Sequence, residues 1–147
     1  MVEEIVVMCG LPGSGKTTYV YNTYDQLVPG NLVLDGDSLK TSDKIVKELK
    51  SAMKNDFNRI IIDSTAYSLE RRADIIKAAR GIPVKCIYVK LDRKTCIERI
   101  KQRVANGGRN VSSIAVNTIN KRFVEPSLEE GFASIEYIEP FDIEANN

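Results

Sequence analysis

A glycine-rich stretch near the N-terminus constrains this chain more than any other part of its sequence. Residues 10–17 read Gly-Leu-Pro-Gly-Ser-Gly-Lys-Thr and match the phosphate-binding loop pattern G-x-x-x-x-G-K-[ST]. The apolar run 4–9 before them predicts a buried strand, and residues 18–27 after them can continue as a helix. The pattern requires this strand–loop–helix context. The sequence therefore predicts an α/β fold built around a phosphate-binding loop, hereafter the P-loop.

Each residue type in the P-loop contributes to binding the phosphates of a nucleoside triphosphate. Glycines allow successive backbone N–H groups to converge on one anion, and the N-terminus of the following helix adds positive partial charge. Lys16 can reach the β- and γ-phosphates, and Thr17 can ligate Mg²⁺. We therefore expect ATP, or another nucleoside triphosphate, to bind here with Mg²⁺. The residues predicted to contact the nucleotide are Gly10, Gly13, Ser14, Gly15, Lys16, Thr17 and Thr18.

The composition narrows the chemistry that the chain can perform. Its 147 residues include no histidine, so any general base must be a carboxylate and any metal site should be rich in oxygen, as Mg²⁺ prefers. The three cysteines, Cys9, Cys86 and Cys96, lack CxxC spacing and predict buried free thiols. The sequence has neither a long apolar run nor a signal-peptide pattern. We therefore expect a cytoplasmic protein with no membrane partner.

Predicted strands and helices alternate along the chain. Each strand is a nearly continuous apolar run, which favours a parallel sheet covered by helices on both faces. Because no repeat or linker interrupts the pattern, we predict one domain over residues 1–147. Functional residues should lie at the carboxyl ends of the strands. The further predicted strands are 31–35, 59–63, 83–91 and 134–139, and the further helices are 42–55, 68–80, 93–106 and 113–123.

Two acidic residues lie at or just beyond the carboxyl ends of predicted strands. Asp37 lies just beyond the second strand, where a carboxylate can accept the proton of an attacking hydroxyl, although it could also cap the next turn. Lys40, three residues later, could pair with Asp37, hold an anionic group of the acceptor, or lie on the surface. Asp63 ends an apolar strand, as the Walker B carboxylate does, and predicts a Mg²⁺ ligand beside Thr17.

A second group of candidates follows Asp63. Thr65 could line the acceptor site or simply start a turn. Arg71 and Arg72 lie one to two turns into the next predicted helix, and one of them can reach back towards the acceptor. Of these two arginines, Arg72 is our candidate for binding the substrate.

A basic block follows the fourth predicted strand, with eight basic side chains and one acid in residues 93–122. Arg99 and Arg103 are four residues apart and share a helix face, and Arg109 follows a glycine pair. Phosphoryl transfer requires cations that close over the developing charge. We therefore predict an arginine-bearing lid over about residues 99–115, with Arg103 and Arg109 as catalytic residues. Structural salt bridges are the alternative role for these arginines.

Taken together, these motifs resemble those of P-loop polynucleotide 5′-hydroxyl kinases. Besides the P-loop and the arginine lid, the shared patterns are Asp37-x-x-Lys40 and Ile-Ile-Asp-Ser-Thr over residues 61–65, with arginines following. The run Lys-Arg-Phe-Val-Glu-Pro-Ser-Leu-Glu-Glu-Gly-Phe-Ala-Ser-Ile over residues 121–135 is especially similar to the kinase domain of the animal polynucleotide kinase-phosphatases. The similarity covers about residues 5–138.

This resemblance implies a P-loop NTPase three-layer sandwich with about five parallel strands, which binds ATP and Mg²⁺. It implies transfer of the γ-phosphate to the 5′-hydroxyl of DNA or RNA, as in nucleic acid repair, and leaves room for a separate phosphatase or ligase partner. Asp37 would be the general base, Lys16 and the lid arginines would stabilise the transferring phosphoryl group, and Lys40 would contact the phosphate next to the acceptor nucleoside.

Two other functions are open at this point. The pair Asp35 and Asp37 is similar to the paired acids of shikimate-type kinases, which favours a small-molecule kinase of the shikimate or gluconate type. The P-loop by itself is also compatible with a nucleotide-dependent switch that has no transferase activity. The carboxylate of Asp37 and the lid arginines argue against the switch, since a protein that only binds nucleotide needs neither.

Overall fold

Five parallel strands form the central sheet of the fold. The computed structural model describes residues 1–24 and 28–139, and the side chain of Asp37 lies outside this description. The strands are β1 (Glu4–Cys9), β2 (Asn31–Asp35), β3 (Arg59–Asp63), β4 (Val84–Val89) and β5 (Ser134–Ile138). Their order across the sheet is β2-β3-β1-β4-β5, and every neighbouring pair is parallel. The predicted parallel sheet is thereby confirmed.

The predicted helices are present, and side-chain caps mark where four of them begin. Each cap side chain accepts a hydrogen bond from the backbone N–H three residues later, a donor that has no partner within the helix. The four caps are Thr41, Ser68, Asp92 and Ser112. Two short elements were not predicted, because elements this short show no apolar periodicity. They are α2 and a 3₁₀ helix, Leu128–Glu130. The helices are α1 (Lys16–Thr23), α2 (Gly36–Leu39), α3 (Ser42–Ala52), α4 (Leu69–Ala78), α5 (Arg93–Ala105) and α6 (Ser113–Arg122).

The central strands β1, β3 and β4 are buried on both faces, which explains their apolar runs in the sequence. Along β1, Ile5 and Val7 pack on the face that carries α3 and α4, whereas Val6 and Met8 pack on the opposite face, where Val20 of α1 lies. Successive strand residues point to opposite faces, so a strand covered on both sides must be apolar throughout. The three-layer arrangement expected from the sequence is confirmed.

The strand order determines where a ligand can bind. The helix that follows β1 lies on one face, and the helices that follow β2 and β3 lie on the other. This reversal opens a crevice at the carboxyl ends of β1 and β3. The P-loop follows β1, and Asp63 ends β3 at this same edge.

Two further observations concern the described residues. The three cysteines are free and buried, as predicted. Within residues 1–24 and 28–139, none of the helices has both the length and the apolar character needed to cross a bilayer.

Candidate active site

A cavity of about 550 Å³ opens at the carboxyl edge of the sheet. Its walls come from the P-loop, the end of β3, the turn after β2, and the α5–α6 region. The described charged side chains that line it comprise six cations and one carboxylate. This excess of positive charge attracts anions such as the phosphates of a nucleotide. The charged lining residues are Lys16, Lys40, Arg71, Arg99, Arg103, Arg109 and Asp63.

The P-loop presents the N-terminus of α1 to the cavity. Gly15 is the N-cap of α1 and has no side chain that could cap the helix, so the first-turn N–H groups are placed to receive an anion. Lys16 is the first residue of α1 and is 8% exposed. Its Nζ donates to the backbone oxygen of Leu11 at 2.7 Å, which holds the side chain along the loop. The predicted nucleotide contacts that line the cavity are Gly13, Gly15, Lys16, Thr17 and Thr18.

Two predicted nucleotide contacts do not line the cavity. The N–H of Gly10 donates to the backbone oxygen of Thr65 at 3.1 Å, so it faces the end of β3. Ser14 is fully buried, and its N–H donates to the oxygen of Leu11 at 3.1 Å. Both N–H groups form hydrogen bonds within the fold, and direct contact of these two residues with a nucleotide stays a prediction.

Thr17 and Asp63 form the oxygen-rich pair expected of a magnesium site. The Thr17 hydroxyl donates to Asp63 Oδ2 at 2.9 Å, and both residues line the cavity. Hydroxyl and carboxylate oxygens are the hard ligands that Mg²⁺ prefers. The described part of the chain contains no cluster of three or more His, Cys, Asp or Glu that could hold a metal. The pair therefore suits a metal whose remaining ligands are nucleotide phosphates and water.

The turn after β2 lies directly against the end of β3. A Cβ added at Gly36 would lie 2.7 Å from Ser64 Cβ and 2.9 Å from the Asp63 oxygen, so only glycine permits this approach. Asp37 is the next residue of α2, which places its backbone beside the cavity. Lys40 lies just beyond α2, has a φ of +68° and lines the cavity.

The loop between β3 and α4 (residues 64–68), here the β3–α4 loop, also forms part of the cavity wall, together with the start of α4. Thr65 and Tyr67 line the cavity, and so does Arg71. The guanidinium carbon of Arg71 lies 4.7 Å from the centre of the Tyr67 ring, at cation–π distance. Tyr67 was not among the site residues predicted from the sequence. Its position two residues after Thr65, in the loop that follows Asp63, was the available signal.

Arg72 does not line the cavity, which corrects the prediction that it binds the substrate. Its side chain is fully buried and forms a bidentate ion pair with Glu130, with Nε–Oε1 and Nη2–Oε2 distances of 2.8 and 3.2 Å. Its Nη1 donates to the backbone oxygen of Ala66 at 2.8 Å. A buried guanidinium requires such partners to offset its lost hydration. Arg71, the other candidate, is the arginine that reaches the cavity.

The three arginines of the predicted lid converge on the cavity. Arg99 and Arg103 reach it from α5, and Arg109 reaches it from the turn before α6. Arg103 Nε donates to the backbone oxygen of Arg109 at 2.8 Å, which ties the turn to the helix. The structure therefore brings these three cations to the same cavity as the P-loop.

Two of the buried thiols, those of Cys86 and Cys96, are poor nucleophiles. Burial raises the pKa of Cys96 to about 11, against the opposing charge of Lys16. A hydrogen bond with Cys9, together with burial, raises the pKa of Cys86. Because the thiolate is the reactive form, neither Cys86 nor Cys96 is expected to react at neutral pH.

The sequence is similar to those of known proteins. A sequence profile of the family described as AAA domain matches residues 34–126. The bifunctional polynucleotide phosphatase/kinase of Schizosaccharomyces pombe (strain 972 / ATCC 24843) is 30% identical over 142 residues, which are 95% of this chain and 34% of that protein. The resemblance to polynucleotide kinase-phosphatases is thereby confirmed. The chain spans about a third of the length of the curated relatives it matches.

Solved structures share the fold at lower identity. Kti12 of Chaetomium thermophilum, in complex with ADP-AlF3, gives a TM-score of 0.77 at 18% identity over 97% of this chain and 92% of that one. A gluconokinase from Sinorhizobium meliloti 1021 gives 0.71 at 14% identity over 98% and 89%. A fungal RNA kinase gives 0.73 at 18% identity over 94% and 38%. These three proteins bear different names and share one fold. The fold alone therefore does not identify the substrate of this chain.

Proposed function

We propose that this chain, which belongs to the AAA domain family, is an ATP- and Mg²⁺-dependent phosphotransferase. In this proposal it transfers the γ-phosphate to the 5′-hydroxyl end of DNA or RNA. The observation that carries the proposal is that the P-loop, the hydrogen-bonded Thr17–Asp63 pair and the lid arginines all line one cavity. Similarity to a polynucleotide phosphatase/kinase over 95% of the chain supports the choice of acceptor.

In this proposal the donor half of the site binds the triphosphate. The first-turn N–H groups of α1 and the Lys16 ammonium hold the β- and γ-phosphates. Thr17 and Asp63 would hold Mg²⁺, which when bound neutralises charge on the β- and γ-phosphate oxygens. Arg103 and Arg109 stabilise the negative charge on the equatorial oxygens as the phosphoryl group is transferred.

The acceptor half binds and activates the 5′-hydroxyl. Asp37 accepts the hydroxyl proton as the 5′-oxygen forms a bond to the γ-phosphorus. The bond between that phosphorus and the β–γ bridging oxygen breaks, and ADP leaves. Lys40 binds the phosphate next to the acceptor nucleoside, and Thr65 orients the end of the strand. The close approach of Gly36 to Ser64 and Asp63 supports this assignment, because Asp63 is hydrogen-bonded to Thr17 of the P-loop.

A transfer assay tests the proposed acceptor. The protein is incubated with γ-labelled ATP, Mg²⁺ and a 5′-hydroxyl DNA or RNA oligonucleotide, with the matching 5′-phosphate oligonucleotide as the control. We expect label on the 5′-hydroxyl strand alone. If ATP binds but neither strand is labelled, the proposed function is wrong. In parallel reactions, label on gluconate or shikimate instead of the oligonucleotide would favour the small-molecule alternative.

Substitution of the proposed base tests the mechanism. Asp37→Asn removes the proton acceptor, so transfer should fall by about 10²–10⁴-fold while the Kd for ATP stays nearly unchanged. Lys16→Ala should weaken both ATP binding and transfer, because this side chain contacts the donor. Asp43→Asn, at an exposed carboxylate in the first turn of α3, is the matched control and should leave both values unchanged. Survival of transfer in Asp37→Asn would show that the base is elsewhere.

A further inference from the structure

Three consecutive backbone oxygens of the β3–α4 loop are each bound by a different part of the fold. The donors come from the P-loop, from α4 and from the segment between α6 and β5 (residues 123–133), here the α6–β5 segment. This loop supplies Thr65 and Tyr67 to the cavity wall. The hydrogen bonds run from Gly10 N–H to Thr65 O (3.1 Å), from Arg72 Nη1 to Ala66 O (2.8 Å) and from Val124 N–H to Tyr67 O (2.9 Å).

The middle residue of the three has an unfavourable backbone conformation. Ala66 has a φ of +45° in the left-handed region and is 3% exposed. Residues with a Cβ rarely adopt this conformation, and it persists only where the surroundings hold it. The donors to its backbone oxygen are Arg72 Nη1 and, at 3.5 Å, the Cys9 thiol. Since a sulfhydryl is a weak donor, Arg72 is the main restraint on this turn.

Arg72 is itself held in place by Glu130. The carboxylate receives both Nε and Nη2 of the guanidinium, and its Oε2 also accepts the N–H of Ser127 at 2.8 Å. This arrangement fixes the rotation of the guanidinium and leaves Nη1 directed at Ala66. A bidentate charged pair restrains orientation more strongly than a single hydrogen bond.

We propose that Arg72 and Glu130 are positioning residues of the acceptor site. They hold the β3–α4 loop in the strained conformation that presents Thr65 and Tyr67 to the cavity, and they couple the α6–β5 segment to the P-loop through that loop. The choice of acceptor rests on the function proposed above, whereas the restraint on the loop can be measured without any substrate.

Two variants separate positioning from plain structural support. Arg72→Lys keeps the positive charge but loses the planar guanidinium with its several N–H donors. The lysine therefore cannot bind the Glu130 carboxylate and the Ala66 backbone oxygen together. Arg72→Met combined with Glu130→Gln leaves no buried charge, and Gln retains the capping contact to Ser127, so this double variant should fold stably. The matched control is Glu4→Gln, which breaks the 2.8 Å ion pair with Arg59 at the opposite edge of the sheet.

Amide hydrogen exchange at Gly10 and Val124 reports on the loop directly, because these N–H groups bind its Thr65 and Tyr67 oxygens. We expect exchange at both amides to accelerate about tenfold in the double variant and in Arg72→Lys, and the KM for the 5′-hydroxyl oligonucleotide to rise about tenfold. The Kd for ATP should stay within about twofold of the parent value. Glu4→Gln should leave all these values unchanged.

Unchanged exchange at Gly10 and Val124 in a stably folded double variant would overturn the positioning role. So would an unchanged acceptor KM, provided that the parent protein phosphorylates the oligonucleotide. If the parent itself transfers no phosphate to the oligonucleotide, the proposed function fails, but the exchange rates still decide whether Arg72 and Glu130 restrain the loop.

Discussion

At the residue scale, two adjacent arginines of α4 occupy opposite environments. Successive helical residues are about 100° apart around the axis, so neighbours cannot share a partner surface. Arg71 projects into the cavity over the Tyr67 ring, and Arg72 is buried against Glu130. The sequence predicted that one of the pair would reach the acceptor. Arg72 was our candidate, whereas Arg71 is the one that lines the cavity. The sequence could not separate them, because the two side chains have the same chemistry and differ only in what packs around them.

Substitution of Tyr67 tests the cavity wall at this scale. A ring at the acceptor side can stack on a nucleobase, and such stacking contributes about 1–3 kcal/mol per base. Tyr67→Ala should therefore raise the KM for a 5′-hydroxyl oligonucleotide about tenfold without changing the Kd for ATP. Tyr67→Phe should retain most of the affinity, and Tyr21→Ala, at a ring that is 78% exposed on α1, serves as the control. Equal KM values for Tyr67→Ala and the parent would exclude a stacking role.

At the scale of elements, the end of α5 shapes the arginine cluster. Gly107 N–H donates to the Val104 oxygen at 3.0 Å, and Gly108 N–H donates to the Arg103 oxygen at 2.7 Å. With Gly107 at a φ of +84°, these bonds form a Schellman motif, which ends the helix and reverses the chain. The turn carries Arg109 back to the cavity that Arg103 already lines. The glycine break read from the sequence lies at this turn.

Gly107→Ala tests whether this turn serves the arginines. A Cβ there meets no atom within 4 Å, so only the left-handed backbone is strained, at a cost of roughly 1 kcal/mol. Gly81→Ala is the matched control, because Gly81 follows α4 with a φ of +88° and equally open surroundings. Chemical denaturation should show similar losses of stability for both variants, whereas only Gly107→Ala should lower kcat for transfer. A similar kcat loss in both would indicate general destabilisation.

At the scale of the whole molecule, the sheet topology assembles the site from distant segments. Thr17 and Asp63 are 46 residues apart, and they meet because β1 and β3 are adjacent parallel strands whose carboxyl ends share one edge. The lid arginines join them from the region between β4 and β5. A nucleotide bound at this edge would therefore contact much of the fold and stabilise it as a unit.

Thermal unfolding with a non-hydrolysable ATP analogue tests this coupling. At 100 times the Kd, the complex with Mg²⁺ should gain about 2.7 kcal/mol of stability, which corresponds to a rise in Tm of roughly 5–10 °C. Chelation of Mg²⁺ should remove most of this gain. In Thr17→Ala, chelation should make little further difference, because the metal has lost a ligand. Thr23→Ala, at an exposed threonine of the same helix, should behave like the parent. If the stability that the parent gains from the analogue did not depend on Mg²⁺, the proposed metal site at Thr17 and Asp63 would be wrong.

The sequence by itself determined the elements of the sheet, the P-loop and the group of candidate side chains. Strands buried on both faces are continuous apolar runs, and caps and glycines mark where helices begin and end, so these features depend on residues close together in the chain. The same local signals indicated that Asp63 lies near the P-loop, since parallel strands end at one edge.

Only the tertiary structure decided which neighbouring side chain faces the cavity and which is buried. Arg72 does not reach the cavity because it is paired with Glu130, 58 residues later in the chain. The N–H of Gly10 donates to the backbone oxygen of Thr65, in the loop that follows β3. Such contacts depend on long-range packing, and a residue carries no local mark of a distant partner. Local sequence patterns therefore predict which segments form the cavity. Which side chains of those segments face it depends on the packing of the α6–β5 segment.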